Sequence, residues 1–162
     1  MNQKNKVPEI VMDNFSLWRF LDHTRFVIAR NREMELSRYG LTPEQSHILN
    51  ILVQKGGSST INEIVDITLR QHHSISTLIN RMSKQELVKK IKTPNDNRIY
   101  QVVITPKGES LLNKVTHESI DMVFSGLSER EKRELQTHLN RLMTKGYKML
   151  GKNLKPQDSQ IR

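Results

Sequence analysis

The sequence contains no cysteine in its 162 residues. That single absence removes disulfides, thiolate nucleophiles, cysteine-ligated zinc and cysteine-based oxidant sensing together. Long apolar runs are missing as well. None approaches the ~18 residues that a membrane-spanning helix needs, and the opening "MNQKNKVPEI" lacks the apolar stretch of a secretory signal. The expectation is a cytoplasmic protein with no membrane partner. Catalytic signatures are also lacking: there is no Gly-rich phosphate loop, no HExxH, no GxSxG and no carboxylate pair set in a polar motif. Neither an enzymatic activity nor a cofactor is expected. Acids are scarce, with 17 Asp and Glu against 26 Lys and Arg, which leaves a formal net charge of +9 and a pI near 9.9. A surplus of that size favours polyanions, either nucleic acid or an anionic membrane surface, and charge alone does not choose between them.

What is present is a well-punctuated series of helices. Hydrophobic content of 35% and charged content of 27% suit a soluble globular chain with a real core. No internal repeat or low-complexity segment is visible, and both ends are polar and aperiodic. A first helix is expected from Asp13 to Tyr39, closed by Gly40, with Phe15, Leu17, Trp18, Phe20, Leu21, Val27 and Ile28 at helical spacing. Such an aromatic stripe points to core or dimer interface rather than to a ligand pocket. A second helix starts with Thr42 as cap, Pro43 at the first position and Gln45 completing a capping box; Ile48, Leu49 and Leu52 mark its buried stripe. "GGSST" breaks the chain. A short helix then opens on the box Thr60 to Glu63, with Ile61, Ile64 and Val65 inward.

The segment "QHHSISTLINRMSKQEL" divides cleanly. Ile75, Leu78, Ile79 and Met82 share one narrow arc of a helical wheel, and His73, Thr77, Asn80 and Lys84 share the opposite one, with Ser76 and Arg81 beside them. Glu86 is the only acid in the segment. A β-hairpin follows, "ELVKKI" to "VVITPKG", with Tyr100, Val102 and Ile104 on one face and Arg98 near its tip. Thr105 and Pro106 begin a fifth helix whose apolar side is Leu111, Leu112, Val115, Met122 and Val123. The last helix opens on a third capping box, Ser128 to Glu131, and carries Leu135, Leu139, Leu142 and Met149 as a heptad-like seam with Gly146 allowing close approach.

Three short helices followed at once by a hairpin is the winged helix-turn-helix arrangement. The expected fold is mainly α with a small β-wing. Residues 1–40 form a tail and dimerisation helix, 41–106 the winged lobe, 107–150 C-terminal dimerisation helices, and 151–162 a polar tail. In such a lobe the recognition helix enters the major groove. The hairpin reaches toward the neighbouring minor groove, where a guanidinium such as that of Arg98 can enter. Asp96 is placed to orient Arg98 by a bidentate pair, and Lys89, Lys90 and Lys92 suit phosphates. Ser76, Thr77 and Asn80 also fit a merely wet helix face, and Arg81 could equally brace the wing through Asp96. Adjacent His72 and His73 point about 100° apart on a helix, so they do not share a metal, and no metal site is expected. His23, His47, His117 and His138 are scattered.

Residues 41 to 108 resemble the DNA-binding lobe of the MarR family of transcription regulators. The matching pieces are "LTPEQSHIL", "STINEIVDI", "SISTLINRM", the Asp-x-Arg wing signature "DNR" and the exit "VVITPKG". The resemblance implies a homodimer with a triangular outline that binds a pseudo-palindromic operator in double-stranded DNA, usually as a repressor. It implies recognition-helix contacts at His72, His73, Ser76, Thr77, Asn80 and Arg81 and a wing contact at Arg98. With Gln71, Lys84, Lys89, Lys90, Lys92 and Asn97, these make up the expected DNA-binding set. Many members release DNA when a small phenolic or other effector binds between the two lobes; those that sense oxidants do so through cysteine, a mode closed to this chain. Two departures stand out. Glu86 occupies the place where the family usually has Gly before the wing, so the turn there is expected to differ locally. The recognition helix also offers Gln71 and paired histidines instead of an Asp or Ser cap. The alternative function is a winged-helix module whose basic face binds protein or RNA. A third reading is a ligand-binding or enzymatic helical dimer whose charge is incidental.

Overall fold

The computed structural model describes residues 12–93 and 96–152, with backbone alone at residue 93 and at 96–99. Among the described residues, seven helices and three strands follow one another as α1 (Asn14–Ser37), α2 (Pro43–Gln54), β1 (Ser58–Thr60), α3 (Ile61–Thr68), α4 (His72–Lys84), β2 (Val88–Thr93), β3 (Asp96–Ile104), α5 (Pro106–Lys114), α6 (Glu118–Phe124) and α7 (Glu129–Met149). The helix starts form where local chemistry sets them. Thr42, Thr60 and Ser128 each accept from the backbone N–H three residues on, and the Gln or Glu at that position reaches back. All three capping boxes are therefore complete, satisfying donors that would otherwise be orphaned.

The ends are equally local. After α1, α2 and α7 a left-handed glycine closes the helix (Gly40 at φ 69°, Gly56 at 76°, Gly151 at 67°), and the N–H of the next residue bonds the carbonyl five residues back, as in a Schellman turn. The core lies between residues 36 and 115. Ile48, Leu49 and Leu52 of α2, Ile64 of α3, Ile75, Ile79 and Met82 of α4, and Val88 and Val102 of the ribbon are essentially sealed from solvent. At about 1.5–3 kcal/mol for each large side chain removed from water, this cluster is what seats α4.

Two expectations need correction. "GGSST" is more than a break: Ser58–Thr60 is a strand that pairs antiparallel with β3, Ser59 opposite Val102, so the sheet has three strands in the order β1-β3-β2. Gly56 and Gly57, both at positive φ, turn the chain back onto that edge. The expected fifth helix is in fact two. Val115 is extended, at φ −70° and ψ 122°, and α6 starts afresh after it.

That break is held from α1. The buried carboxylate of Glu35 accepts from the Thr116 hydroxyl at 2.7 Å, from the Ser119 N–H at 3.3 Å and from the Ser119 hydroxyl. Arg32 donates both to Glu35 at 2.8 Å and to the Thr116 carbonyl at 2.6 Å. Burial alone would raise the Glu35 pKa, but the hydrogen bonds from Ser119, Thr116 and Arg32 outweigh it and bring the value down to about 2.

Large apolar side chains remain uncovered on the outer helices. Phe15, Leu17, Trp18, Phe20 and Phe26 of α1 are exposed, as are Met122 of α6 and Leu135, Leu139, Leu142 and Met149 of α7. α7 spans 21 residues and buries none of them within the chain.

Candidate nucleic-acid interface

Residues in α4 separate by face as the periodicity requires. Ile75, Leu78, Ile79 and Met82 are buried. Gln71, His72, His73, Thr77, Asn80, Arg81 and Lys84 are exposed, while Ser76 is half-buried at the margin and so belongs less to the open face than the wheel suggests. The helix holds no carboxylate, and Gln71 makes no side-chain capping bond. Its orientation is fixed instead by α2. Glu44 pairs with Arg70, just before α4, at 3.3 Å, and the Gln45 side-chain amide donates to Gln85, just after it, at 2.6 Å. Consecutive residues of α2 thus hold both ends of α4. Gln45 is buried and does double duty, because its oxygen also accepts from the Thr42 N–H at 3.0 Å. The Glu44 pKa lies below its ordinary value, chiefly because a backbone N–H bonds the carboxylate, with Arg70 adding to the effect against some burial.

The exit from α4 does not deviate as expected. Glu86 adopts the left-handed conformation itself, at φ 60°. The Glu86 N–H bonds the Ser83 carbonyl and the Leu87 N–H bonds the Met82 carbonyl, so the Schellman turn forms without glycine. Tertiary contacts hold it. The Thr105 hydroxyl donates to the Glu86 carbonyl at 2.6 Å, and Lys107 pairs with the Glu86 carboxylate at 3.2 Å. Gly108 lets α5 pack against this exit: a Cβ there would lie 2.2 Å from the Leu87 carbonyl oxygen.

In the ribbon, Val88 pairs with Ile104, Lys90 with Val102 and Lys92 with Tyr100, which places Lys90 and Lys92 on one face. Lys89 alternates to the opposite face with Ile91, away from the other two. The Lys90 ammonium donates to Asn80 Oδ1 at 2.7 Å and stands 5.3 Å from the centre of the Tyr100 ring. The side chains of Asp96, Asn97 and Arg98 lie outside the described residues, and with them the expected Asp96–Arg98 pair and any brace from Arg81.

Between the start of α2 and α4 runs a cleft of about 640 Å³. Ile75 and Leu78 form its floor, and Arg70, His73, Thr77 and Arg81 stand along its walls. Among the described residues no group of three or more metal-ligating side chains comes together, and no helix is long and apolar enough to cross a membrane. Sequence reasoning missed Gln85, Arg70 and the second role of Gln45. A buried Gln in a capping box carries a signal for the Gln85 contact, since its amide nitrogen must find an acceptor somewhere, whereas no local pattern marks Arg70.

Comparison with known proteins agrees with this geometry. The model of the MarR family matches residues 39–99, from the end of α1 to the wing. The HTH-type transcriptional regulator MhqR of Bacillus subtilis (strain 168) is 30% identical over 125 residues, 74% of this chain and 86% of that protein. YsmB of the same organism, an uncharacterized HTH-type transcriptional regulator, is 32% identical over 95 residues, 59% of this chain and 64% of YsmB, just under two thirds of its length. Among solved structures, the organohalide-sensing RdhR regulator in its 2,4-dichlorophenol-bound form superposes with a TM-score of 0.80 at 22% identity, covering 96% of each chain. A mutant MarR from E. coli complexed with operator DNA gives 0.73 at 18% identity, covering 81% of this chain and 99% of that one. Winged-helix architecture, capping pattern and sequence relatives converge: the chain belongs to the MarR family of transcriptional regulators.

Proposed function

We propose that the protein is a homodimeric repressor that binds a pseudo-palindromic operator through α4 and the β2–β3 ribbon. The observation that carries this reading is the open face of α4. Thr77, Asn80, Arg81 and Lys84 project from it without a single carboxylate, beside Lys90 and Lys92, on a helix clamped at both ends. Such a surface supplies hydrogen bonds to base edges and cations to phosphates. Arg98 is assigned to the minor groove, with Asn97 beside it. Dimerisation is supported by the exposed apolar residues of α1, α6 and α7, since a 21-residue amphipathic helix with no buried residue needs a second surface. Two such lobes would address half-sites roughly 34–36 Å apart, one helical turn.

A small-molecule effector is assigned the cleft between α2 and α4. Its walls include His73 and Arg81 of the proposed DNA-binding set, so an occupant there competes with DNA for those side chains. The dichlorophenol bound to the RdhR regulator supports a small aromatic compound as the class to try first.

The experiment is fluorescence-anisotropy titration with the duplex immediately upstream of the coding region and with its scrambled counterpart, across a salt series and with stoichiometry at saturation. The expected result is a preference of ~10³-fold or more for the native duplex with two chains per site. Equal affinity for both duplexes, together with equal affinity for every site drawn from genomic DNA, would refute operator recognition. A halogenated or simple phenol added to the complex is expected to release the duplex.

A further inference from the structure

Asn80 stands where α4 meets the ribbon, and a side-chain hydrogen bond there links the exposed faces of the two elements. The Lys90 ammonium donates to Asn80 Oδ1 at 2.7 Å. It also lies 5.3 Å from the centroid of Tyr100, which belongs to the opposite strand and shares its face. An ammonium has donors only, whereas a carboxamide has an acceptor end and a donor end. The pairing therefore dictates which way round the Asn80 amide sits. Oδ1 faces the ribbon, and the two N–H groups of Nδ2 face away from it.

We propose that Lys90 is a specificity-determining residue that acts through Asn80, making the pair a donor-only reader that selects guanine over adenine in the major groove. The inference rests on the operator-binding reading above and extends it to one base position. Guanine presents two acceptors in that groove, N7 and O6; adenine presents the N7 acceptor and the N6 amino donor. An asparagine reads adenine by donating to N7 while accepting from N6 on its own oxygen. Here that oxygen already accepts a charge-assisted bond, and the ammonium beside it would confront the adenine amino hydrogens with like charge. Guanine meets N–H donors from Asn80 and from Lys90 alike. Cation–π attraction to Tyr100 opposes a swing of Lys90 out to the phosphates.

The test is selection of binding sites from randomised duplexes by the full-length protein and by Asn80→Ala, Lys90→Met and the double variant, followed by affinities for matched guanine and adenine duplexes. Asn80 and Lys90 are both exposed, so the variants keep the fold, and methionine retains the apolar stem over Tyr100. The wild type is expected to favour guanine by about tenfold at one position of each half-site, the position whose preference Asn80→Ala abolishes. Lys90→Met should lose or invert that preference and leave the other positions unchanged, and the double variant should match Asn80→Ala there. If Lys90→Met weakens every duplex equally while the selected base stays the same, Lys90 is a phosphate contact and the inference falls, with operator recognition intact. Adenine at the Asn80-dependent position, or no such position, overturns it likewise. A wild type that selects no sequence at all overturns operator recognition and this inference together.

Discussion

Replacing Glu35 by glutamine tests the joint between α1 and the α5–α6 break. The carboxylate is buried, accepts from Thr116, Ser119 and Arg32, and is held near a pKa of about 2 against an ordinary 4.5. Glutamine keeps the volume and can keep its oxygen toward Ser119 and Arg32 with its N–H turned to the Thr116 hydroxyl, but it removes the negative charge to which the Arg32 guanidinium and Ser119 donate. The difference between the two pKa values corresponds to about 3 kcal/mol of stability at neutral pH, at ~1.4 kcal/mol per unit. Because the folded-state value is the lower one, the unfolded chain binds more protons in this window. The contribution is therefore complete above about pH 4.5 and is lost as pH falls through about 2. Urea denaturation of wild type and Glu35→Gln at one fixed protein concentration, from pH 7 to about pH 3, measures the gap directly. A gap of roughly 2–3 kcal/mol at pH 7 is expected, shrinking to about half or less by about pH 3, as the protonated carboxyl comes to resemble the amide. A gap that is the same at every pH would show that the ionised carboxylate does not hold the joint.

Glu86→Gly is expected to stabilise the protein. Left-handed strain of about 1–2 kcal/mol is relieved, offset by ~0.5–1 kcal/mol of glycine entropy and a few tenths for the exposed Lys107 pair. The net is about 0.5 kcal/mol in urea melts, whereas Glu86→Ala, which keeps the Cβ, should be slightly destabilised. Gly108→Ala must push the Leu87 carbonyl aside and should cost ~1–3 kcal/mol in the same assay; an unchanged midpoint would contradict the close packing of α5. Arg98→Ala should weaken operator binding and lower the salt slope by about one unit, and an unaltered slope would remove Arg98 from the interface.

The legible parts of this fold are those whose determinants are neighbours in sequence. Each of the three capping boxes lies within four residues, and the buried arc of α4 follows from Ile75, Leu78, Ile79 and Met82 alone. What escaped was set by distant partners. β1 exists because Ser58–Thr60 meets Gln101–Val103, more than forty residues on, and three residues are too few to display an alternation. The break between α5 and α6 depends on Arg32 and Glu35, over eighty residues earlier. Glu86 shows the converse: a local rule against a side chain at positive φ was overridden by Thr105 and Lys107. In the candidate interface the open face of α4 was readable from period. The contact of Asn80 with Lys90, and the placing of Lys89 on the far face, needed strand register.

The grip of α2 on both ends of α4 has a thermodynamic consequence. Since Glu44 and Gln45 secure Arg70 and Gln85 before any ligand arrives, α4 would not have to be ordered during the proposed association with DNA. Association therefore escapes much of the entropic penalty that an unanchored helix would incur. Heat-capacity changes on complex formation should then report water leaving the groove and the helix face, not the folding of α4.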